Sequence, residues 1–98
     1  MNIEIIKATK KDSLELSIMT GELLQEIMDK INIKAFNFNQ DETQKRAEDL
    51  ISENLYFVFI AKDKNKSIGF ISMYESYALY AEGAYGTIPE LYIKKNIV

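Results

Sequence analysis

Hydrophobic residues in the first third of the chain change their spacing once, from neighbouring β-branched positions to every third or fourth residue. The stretch 3–6 is rich in isoleucine and predicts a short strand that ends at Ala8. Beyond it, apolar residues recur at helical spacing, namely Leu16, Met19, Leu23, Leu24, Ile27, Met28 and Ile31. This stripe predicts a helix over about 12–31, which Thr9 or Asp12 can cap by accepting a backbone hydrogen bond.

A second, shorter helix is predicted after a stretch that has no periodicity. Residues 32–40 read Asn-Ile-Lys-Ala-Phe-Asn-Phe-Asn-Gln and predict a loop. Asp41 and Gln44 form a capping-box pattern, which indicates a helix that starts there and runs to about Ile51. Asn54 suits the left-handed position that ends such a helix.

The second half of the chain is aromatic and β-branched, which favours strands. Residues 63–66 are a polar turn between two such segments, and 75–89 are looser, with Gly83 and Gly86 as turn or bulge signals. The predicted strands are 55–61, 67–74 and 90–94. The order β-α-α-β-β-β predicts an α+β fold, with two N-terminal helices and a mostly antiparallel sheet in a single domain over residues 1–98.

One strand does not match a sheet that is covered on one side only. Residues 55–61 are apolar at every position, whereas a half-buried strand alternates apolar with polar residues. Two helices that are adjacent in the chain cover one face of a sheet, so the second face requires a cover from elsewhere.

Composition narrows the classes of function. The 98 residues carry a net charge of −3 and a pI near 4.9, which argues against a nucleic-acid binder, because such a protein needs a basic patch. Cysteine and histidine are both absent, which excludes thiol nucleophiles, imidazole bases, disulfides and Cys/His zinc sites. No apolar run approaches the roughly 18 residues of a membrane span, and the start is too short and charged for a signal peptide. We therefore expect a cytoplasmic domain without a membrane or nucleic-acid partner.

Four short motifs, in their order and spacing, resemble the N-terminal half of the GNAT N-acetyltransferase superfamily. They are IIKATKKD at 5–12, YFVFIAK at 56–62, IGFI at 68–71 and PELYI at 89–93. The run MYESYALY at 73–80 resembles a subgroup with an aromatic-rich third strand. The likeness covers essentially the whole chain and implies an acetyl-CoA-dependent N-acetyltransferase that acts on a small amine or an amino-terminal acceptor.

The glycine-rich loop of that family has no counterpart in this sequence. In the family, the fourth strand leads into a loop and helix whose backbone N–H groups hold the pyrophosphate of acetyl-CoA. The present sequence stops at Val98, where that loop is expected, and its glycines do not match the pattern: Gly21, Gly69, Gly83 and Gly86. The resemblance therefore implies a truncated GNAT-like domain, and we expect the isolated chain to bind acetyl-CoA weakly or not at all.

The resemblance also points to residues for catalysis and for the cofactor. Glu90 lies where family members often carry a glutamate that acts as a base through water; it is equally explained as a solvated carboxylate at a strand end. Leu91, Tyr92 and Ile93 match positions whose main-chain groups bind the acetyl and pantetheine part of acetyl-CoA.

Five further residues are candidates for the acceptor site. Phe36 and Phe38 lie in the inter-helix loop that borders this site in the family, and Tyr74 and Tyr77 can line it with ring faces and hydroxyls. Glu75 can bind a cationic amine. Packing of the aromatic rings and solvent exposure of the carboxylate are the simpler explanations of these positions.

Two other classes of function remain open. One is a non-catalytic GNAT-like module that acts through dimerisation or ligand binding, and the other is one part of a longer enzyme. Strand 90–94 is expected to leave an unpaired sheet edge, and strands 55–61 and 68–71 an uncovered apolar face. We therefore expect a homodimer.

Overall fold

A computed structural model of the chain describes residues 2–95 and contains two α-helices and five strands. In chain order these are β1 Ile3–Lys7, α1 Ser13–Ile31, α2 Gln40–Ser52, β2 Phe57–Asp63, β3 Lys66–Ser76, β4 Tyr85–Thr87 and β5 Leu91–Ile93. The predicted α+β order is confirmed, with one additional short strand, β4, within the segment expected to be loose. Gly86 lies inside β4 and pairs with Glu75 without a register shift, so its interpretation as a turn or bulge is wrong.

Both candidate caps take part in the start of α1. A short 3-10 turn, Lys10–Asp12, precedes the helix, and the Thr9 hydroxyl accepts the N–H of Lys11 at 3.3 Å. The Asp12 carboxylate accepts the N–H of Thr9 at 2.8 Å, which completes a reciprocal capping box. α1 then ends at the left-handed Asn32. Among the described residues, neither this helix nor α2 is long and apolar enough to cross a membrane.

The start of α2 differs from the prediction. Asn39 is the cap, since its side-chain oxygen accepts the N–H of Glu42 at 3.0 Å, and the helix begins at Gln40. The predicted capping box of Asp41 and Gln44 is therefore wrong; Asp41 lies in the first turn, where its charge suits the helix dipole. The left-handed conformation predicted for Asn54 is confirmed, with φ of 58°.

Strand β2 begins two residues later than predicted. The N–H groups of Leu55 and Tyr56 both bond to the carbonyl of Leu50, at 2.9 and 3.1 Å, which holds this segment against the end of α2. The hairpin between β2 and β3 turns at Lys64 and Asn65, whose φ values of 50° and 70° fit a two-residue turn with left-handed central residues.

All strand pairs in the sheet are antiparallel. β1, β2 and β3 lie side by side in chain order, and β4 and β5 both pair with β3. β4 lies opposite 74–76 and β5 opposite 69–71, so the two short strands occupy one row. Residues 88–90 interrupt that row, because Pro89 has no N–H to donate to a ladder.

The helices cover only one face of this sheet within residues 2–95. Alternate residues of the strands, Val58, Ile60, Phe70 and Tyr92, are buried against Leu16 and Met19 of α1, with Ile51 of α2 packed beside them. The opposite surface, called the open face below, consists of two cross-strand rows: Ile5–Ala61–Gly69–Ile93 and Lys7–Phe59–Ile71–Leu91. The expectation of an apolar second face therefore corresponds to this surface, on which Ile5 is 64% and Leu91 61% exposed.

Candidate functional site

A cavity of about 210 Å³ lies between the two helices, the loop that joins them and the covered face of the sheet. Its walls are mainly apolar, with Leu16 and Leu24 from α1, Leu50 from α2 and Val58 and Phe70 from the sheet. Polar side chains also reach it: Thr20, Asn37, Thr43, Arg46, Tyr56, Ser72 and Glu90. The cavity therefore combines a mainly apolar wall with a small number of polar groups, which is typical of a small-molecule site.

Glu90 is fixed on the cavity wall by β3. Its backbone carbonyl accepts the N–H of Ser72 at 3.0 Å, and its carboxylate accepts the Ser72 hydroxyl. Ser72 is only 1% exposed, so this contact anchors a half-buried carboxylate where the row of β4 and β5 is interrupted. Such a group can accept further hydrogen bonds, because a carboxylate offers about four lone-pair sites.

Tyr56 lines the cavity beside this carboxylate. Burial, the charge of Glu90 and the neighbouring Tyr74 hydroxyl raise the pKa of Tyr56 above its usual value. The rings of Tyr56 and Tyr74 stack, with centroids 5.9 Å apart and planes 9° apart. The Tyr56 hydroxyl is therefore protonated at neutral pH and is not a base there.

The buried tyrosines make stability sensitive to alkaline pH. Burial and the charge of Glu22 also raise the pKa of Tyr92 above the ordinary value of about 10, so the folded chain holds this proton more tightly than the unfolded chain. The stabilisation is complete below about pH 10 and falls as the pH rises beyond it. We expect the free energy of unfolding, measured with urea, to fall less for Tyr92→Phe than for the parent between about pH 8 and about pH 11, because phenylalanine has no proton to lose.

Tyr80→Phe is the matched control for this prediction, because Tyr80 is 85% exposed. It should lose as much stability over the same pH range as the parent. An equal alkaline loss in Tyr92→Phe and the parent contradicts the prediction.

Of the two phenylalanines predicted for the acceptor site, only Phe38 lines the cavity. Its ring lies against Gly21 of α1, where an added Cβ would be 2.6 Å from the ring carbon Cε2. The glycine thus permits close packing of the loop on an unbroken helix. Phe36 is 39% exposed and is absent from the cavity wall.

The other three acceptor candidates lie outside the cavity wall. Tyr74 reaches it only through the stack with Tyr56. The Tyr77 hydroxyl donates to the Glu75 carboxylate at 2.8 Å, and this hydrogen bond raises the pKa of Tyr77. Tyr77 is 74% exposed, so this pair forms a surface contact at the C-terminal end of β3.

The main-chain groups of β5 are divided between the sheet and its edge. The N–H of Ser72 bonds to the carbonyl of Glu90, and the N–H of Lys94 bonds to the carbonyl of Ile68 at 2.8 Å. Because an antiparallel ladder repeats every two residues, the main-chain groups of Tyr92 also face β3. Those of Leu91 and Ile93 point the other way, to an edge where residues 2–95 supply no further strand.

The three residues predicted for cofactor binding therefore differ in what they offer a ligand. Leu91 and Ile93 present main-chain donors and acceptors at the open edge of β5, whereas Tyr92 uses its own in the sheet and buries its ring, which is 7% exposed. The described residues bring no group of three metal-ligating side chains together.

Two residues of the cavity wall, Arg46 and Ser72, were not predicted from the sequence. Arg46 is the only arginine of the chain and lines the cavity from α2. A signal was present, because Thr43, Arg46, Ala47 and Leu50 follow helical spacing and share one face. Ser72 had no such signal, since its role depends on the register of β3 against Glu90.

Comparisons with known proteins give a fold but no sequence family. No protein-family model matches the chain, and no curated protein matches it. Solved structures do match. A possible acetyltransferase from Clostridium difficile 630 has a TM-score of 0.78 at 17% identity, covering 99% of this chain and 60% of that one. A predicted acetyltransferase from Clostridium acetobutylicum, solved with acetyl-CoA, has a TM-score of 0.68 at 17% identity, covering 96% and 61%.

An aminoglycoside acetyltransferase from an uncultured soil metagenomic sample, solved in complex with sisomicin, is also similar. Its TM-score is 0.64 at 21% identity, and the match covers 96% of this chain and 57% of that one. The chain thus spans about three fifths of the length of these structures. It has the fold of GNAT acetyltransferases over that length, as the sequence resemblance implied.

Proposed function

We propose that this chain is the N-terminal part of an acetyl-CoA-dependent N-acetyltransferase that acts on a small amine or an amino-terminal group. The observation that carries the proposal is the Glu90 carboxylate, held by Ser72 on the wall of an apolar cavity, next to the open edge of Leu91 and Ile93. The likeness to solved acetyltransferases supports the same reaction class.

In this proposal Glu90 takes a proton from the acceptor ammonium through water, which leaves a neutral amine. Acetyl-CoA supplies an acetyl group activated as a thioester. The amine nitrogen forms a bond to the acetyl carbon as the carbon–sulfur bond breaks, and the second proton lost by the nitrogen ends on the released thiol. Leu91 and Ile93 orient the reacting group through their main-chain edge, because an extended amide chain can pair with it as a strand would.

The direct test is release of CoA. Residues 1–98 are incubated with a panel of primary amines and with acetyl-CoA at about ten millimolar, because its dissociation constant is expected to be about millimolar. The free thiol is followed with a chromogenic reagent. The protein has no cysteine, so it contributes no thiol signal of its own. Amine-dependent release supports the proposal, and release at the rate of the amine-free blank with every amine contradicts it.

Acetyl-CoA itself is expected to bind residues 1–98 weakly. The open edge fits an amide chain, but within residues 2–95 no glycine-rich turn leads from β5 into a helix that could hold phosphates. Each charge-assisted hydrogen bond to an anion is worth about 1.5–3 kcal/mol, so the expected dissociation constant is about millimolar or weaker. Calorimetric titration measures it, and one-to-one binding at micromolar concentration contradicts the expectation.

A second candidate is a non-catalytic module that acts as a homodimer, which the open face and the open edge favour. Ile5, Leu91 and Ile93 are each more than half exposed on that face. Contiguous apolar surface of this kind is often an interface. We propose that two copies pair through it, so light scattering coupled to size exclusion should give twice the 11.3 kDa of one chain. A monomer at micromolar concentration contradicts this proposal.

Two variants distinguish the surfaces that a homodimer can use. Ile93→Pro removes an N–H that points to the open edge, so it should separate a dimer formed by pairing of β5 strands, whereas Ile93→Ala, which keeps the N–H, should not. Ile5→Lys places a charge on the open face at the far side of the sheet, and should separate a dimer formed face to face. Tyr92→Pro is unsuitable, because the N–H of Tyr92 faces β3.

The cellular setting is proposed from composition alone. A net charge of −3 and the absence of cysteine fit a cytoplasmic protein whose partner is a small amine or a peptide amino group. The same charge balance disfavours nucleic acid as a partner.

A further inference from the structure

We propose that the acceptor is a free apolar α-amino acid, such as leucine, whose side chain enters the cavity while its carboxylate contacts Arg46 and its amino group contacts Glu90. This inference rests on the proposed function, because it names the amine that Glu90 would deprotonate. It narrows the acceptor from amines in general to a zwitterion with a hydrophobic side chain.

The volume of the cavity, about 210 Å³, suits a small ligand. Pockets for drug-sized ligands are larger, at about 300–1,000 Å³. A branched aliphatic side chain fits such a space.

The charges on the walls indicate a ligand with two opposite charges. Within residues 2–95, Arg46 and Glu90 are the only charged residues that line the cavity; Arg46 lies on α2, and Glu90 lies directly before β5. The ion pairs found within residues 2–95 all use lysines, so Arg46 has no carboxylate partner there. A guanidinium binds a carboxylate through two parallel hydrogen bonds, which makes Arg46 suited to the acid end of an amino acid.

Several of the other polar groups on the cavity wall lie near one of these two charges. Thr43 is one helical turn before Arg46 on α2, and Tyr56 and Ser72 lie near Glu90. The Thr20 hydroxyl already donates to the carbonyl of Leu16 at 2.7 Å. Apart from these polar groups the cavity wall is aliphatic or aromatic, so a polar side chain on the ligand would lose hydrogen bonds to water without replacement.

Acetylation would change how this site holds the ligand. The product amide has no ammonium charge, so it keeps the contact with Arg46 and loses the ionic contact with Glu90. Binding is therefore expected to be stronger for the amino acid than for its N-acetyl product, which favours release after the reaction.

The test measures binding to residues 1–98 in the absence of acetyl-CoA, by chemical-shift titration with L-leucine and with L-leucinamide. The amide keeps the ammonium and the side chain but lacks the carboxylate. We expect leucine to bind about ten-fold or more tightly than leucinamide, since one charge-assisted pair differs between them. Arg46→Gln should remove this preference, and Arg46→Lys should retain part of it, because it keeps the charge without the planar fork.

Lys45→Gln is the matched control, since Lys45 is an exposed cation on the same helix that does not line the cavity. It should bind leucine as the parent does. Equal binding of leucine and leucinamide, no leucine binding at about ten millimolar, or an undiminished preference in Arg46→Gln overturns the inference.

The acetylation assay separates this inference from the proposed function. If leucine binds as expected but no CoA is released, the proposed ligand class is supported and the proposed catalysis is contradicted. If the chain acetylates sisomicin but does not bind leucine, the proposed catalysis is supported and the proposed ligand class is contradicted.

Discussion

Replacing Glu90 by Gln is expected to slow acetyl transfer by about 10²- to 10⁴-fold, with little change in acetyl-CoA affinity. The amide cannot accept the proton of the acceptor amine. It has nearly the same shape and can still accept the Ser72 hydroxyl, so the wall of the cavity should keep its structure. The groups proposed for the cofactor are main-chain atoms of Leu91 and Ile93, which this change leaves in place.

The measurement is kcat as a function of pH, in the form of the protein that releases CoA. Glu75→Gln is the control, because Glu75 is an exposed carboxylate that bonds to Tyr77 away from the cavity. It should keep the parent rate. If Glu90→Gln has the same rate and the same pH profile as the parent, Glu90 is only a strand-end carboxylate.

The parts of the fold that depend on local periodicity were predictable. The stripe of α1 and the hairpin with its turn at 64–65 follow from residues that are close in sequence. The cap of α2 was harder, because Asn39 and Asp41 both suit this position and only the path of the preceding loop selects between them. β4 was missed because three residues that include a glycine carry no detectable alternation.

The residues of the candidate site were predictable only where the residue type itself indicates a chemical role. Glu90 and Phe38 were both expected near the acceptor, and the structure brings both to one cavity. Ser72 and Arg46 join them through the register of β3 and the packing of α2 on α1. The period of a single segment cannot predict such long-range pairings. The pattern of apolar residues shows which face of an element is buried, but it does not show which other element packs against that face.

The apolar run at 55–61 also shows that a sequence pattern does not identify the packing partner of a face. The sequence indicated that both faces of β2 are apolar, and the structure assigns Val58 and Ile60 to the helices and Phe59 to the open face. The helices within residues 2–95 bury one face of the sheet, and the other face stays exposed.

Gly69→Ala is expected to lower the free energy of unfolding by about 1–3 kcal/mol. Gly69 lies opposite Ile93 in the register of β3 and β5. A Cβ there would lie 2.6 Å from the carbonyl oxygen of Tyr92 and 2.7 Å from Cδ1 of Ile93. The carbonyl belongs to the main chain and cannot rotate away, so β5 must move. This cost exceeds the gain of about 0.4–1 kcal/mol from a stiffer unfolded chain.

The change should also reach the candidate site, because a displaced β5 carries the open edge of Leu91 and Ile93 with it. Gly83→Ala is the matched control: no atom lies within 4 Å of the added carbon, so its stability should stay within about 0.5 kcal/mol of the parent. Urea unfolding of both variants gives the comparison. If Gly69→Ala is as stable as Gly83→Ala, β5 does not pair with β3 in this register, and the orientation of the main-chain groups of Leu91 and Ile93 must be different.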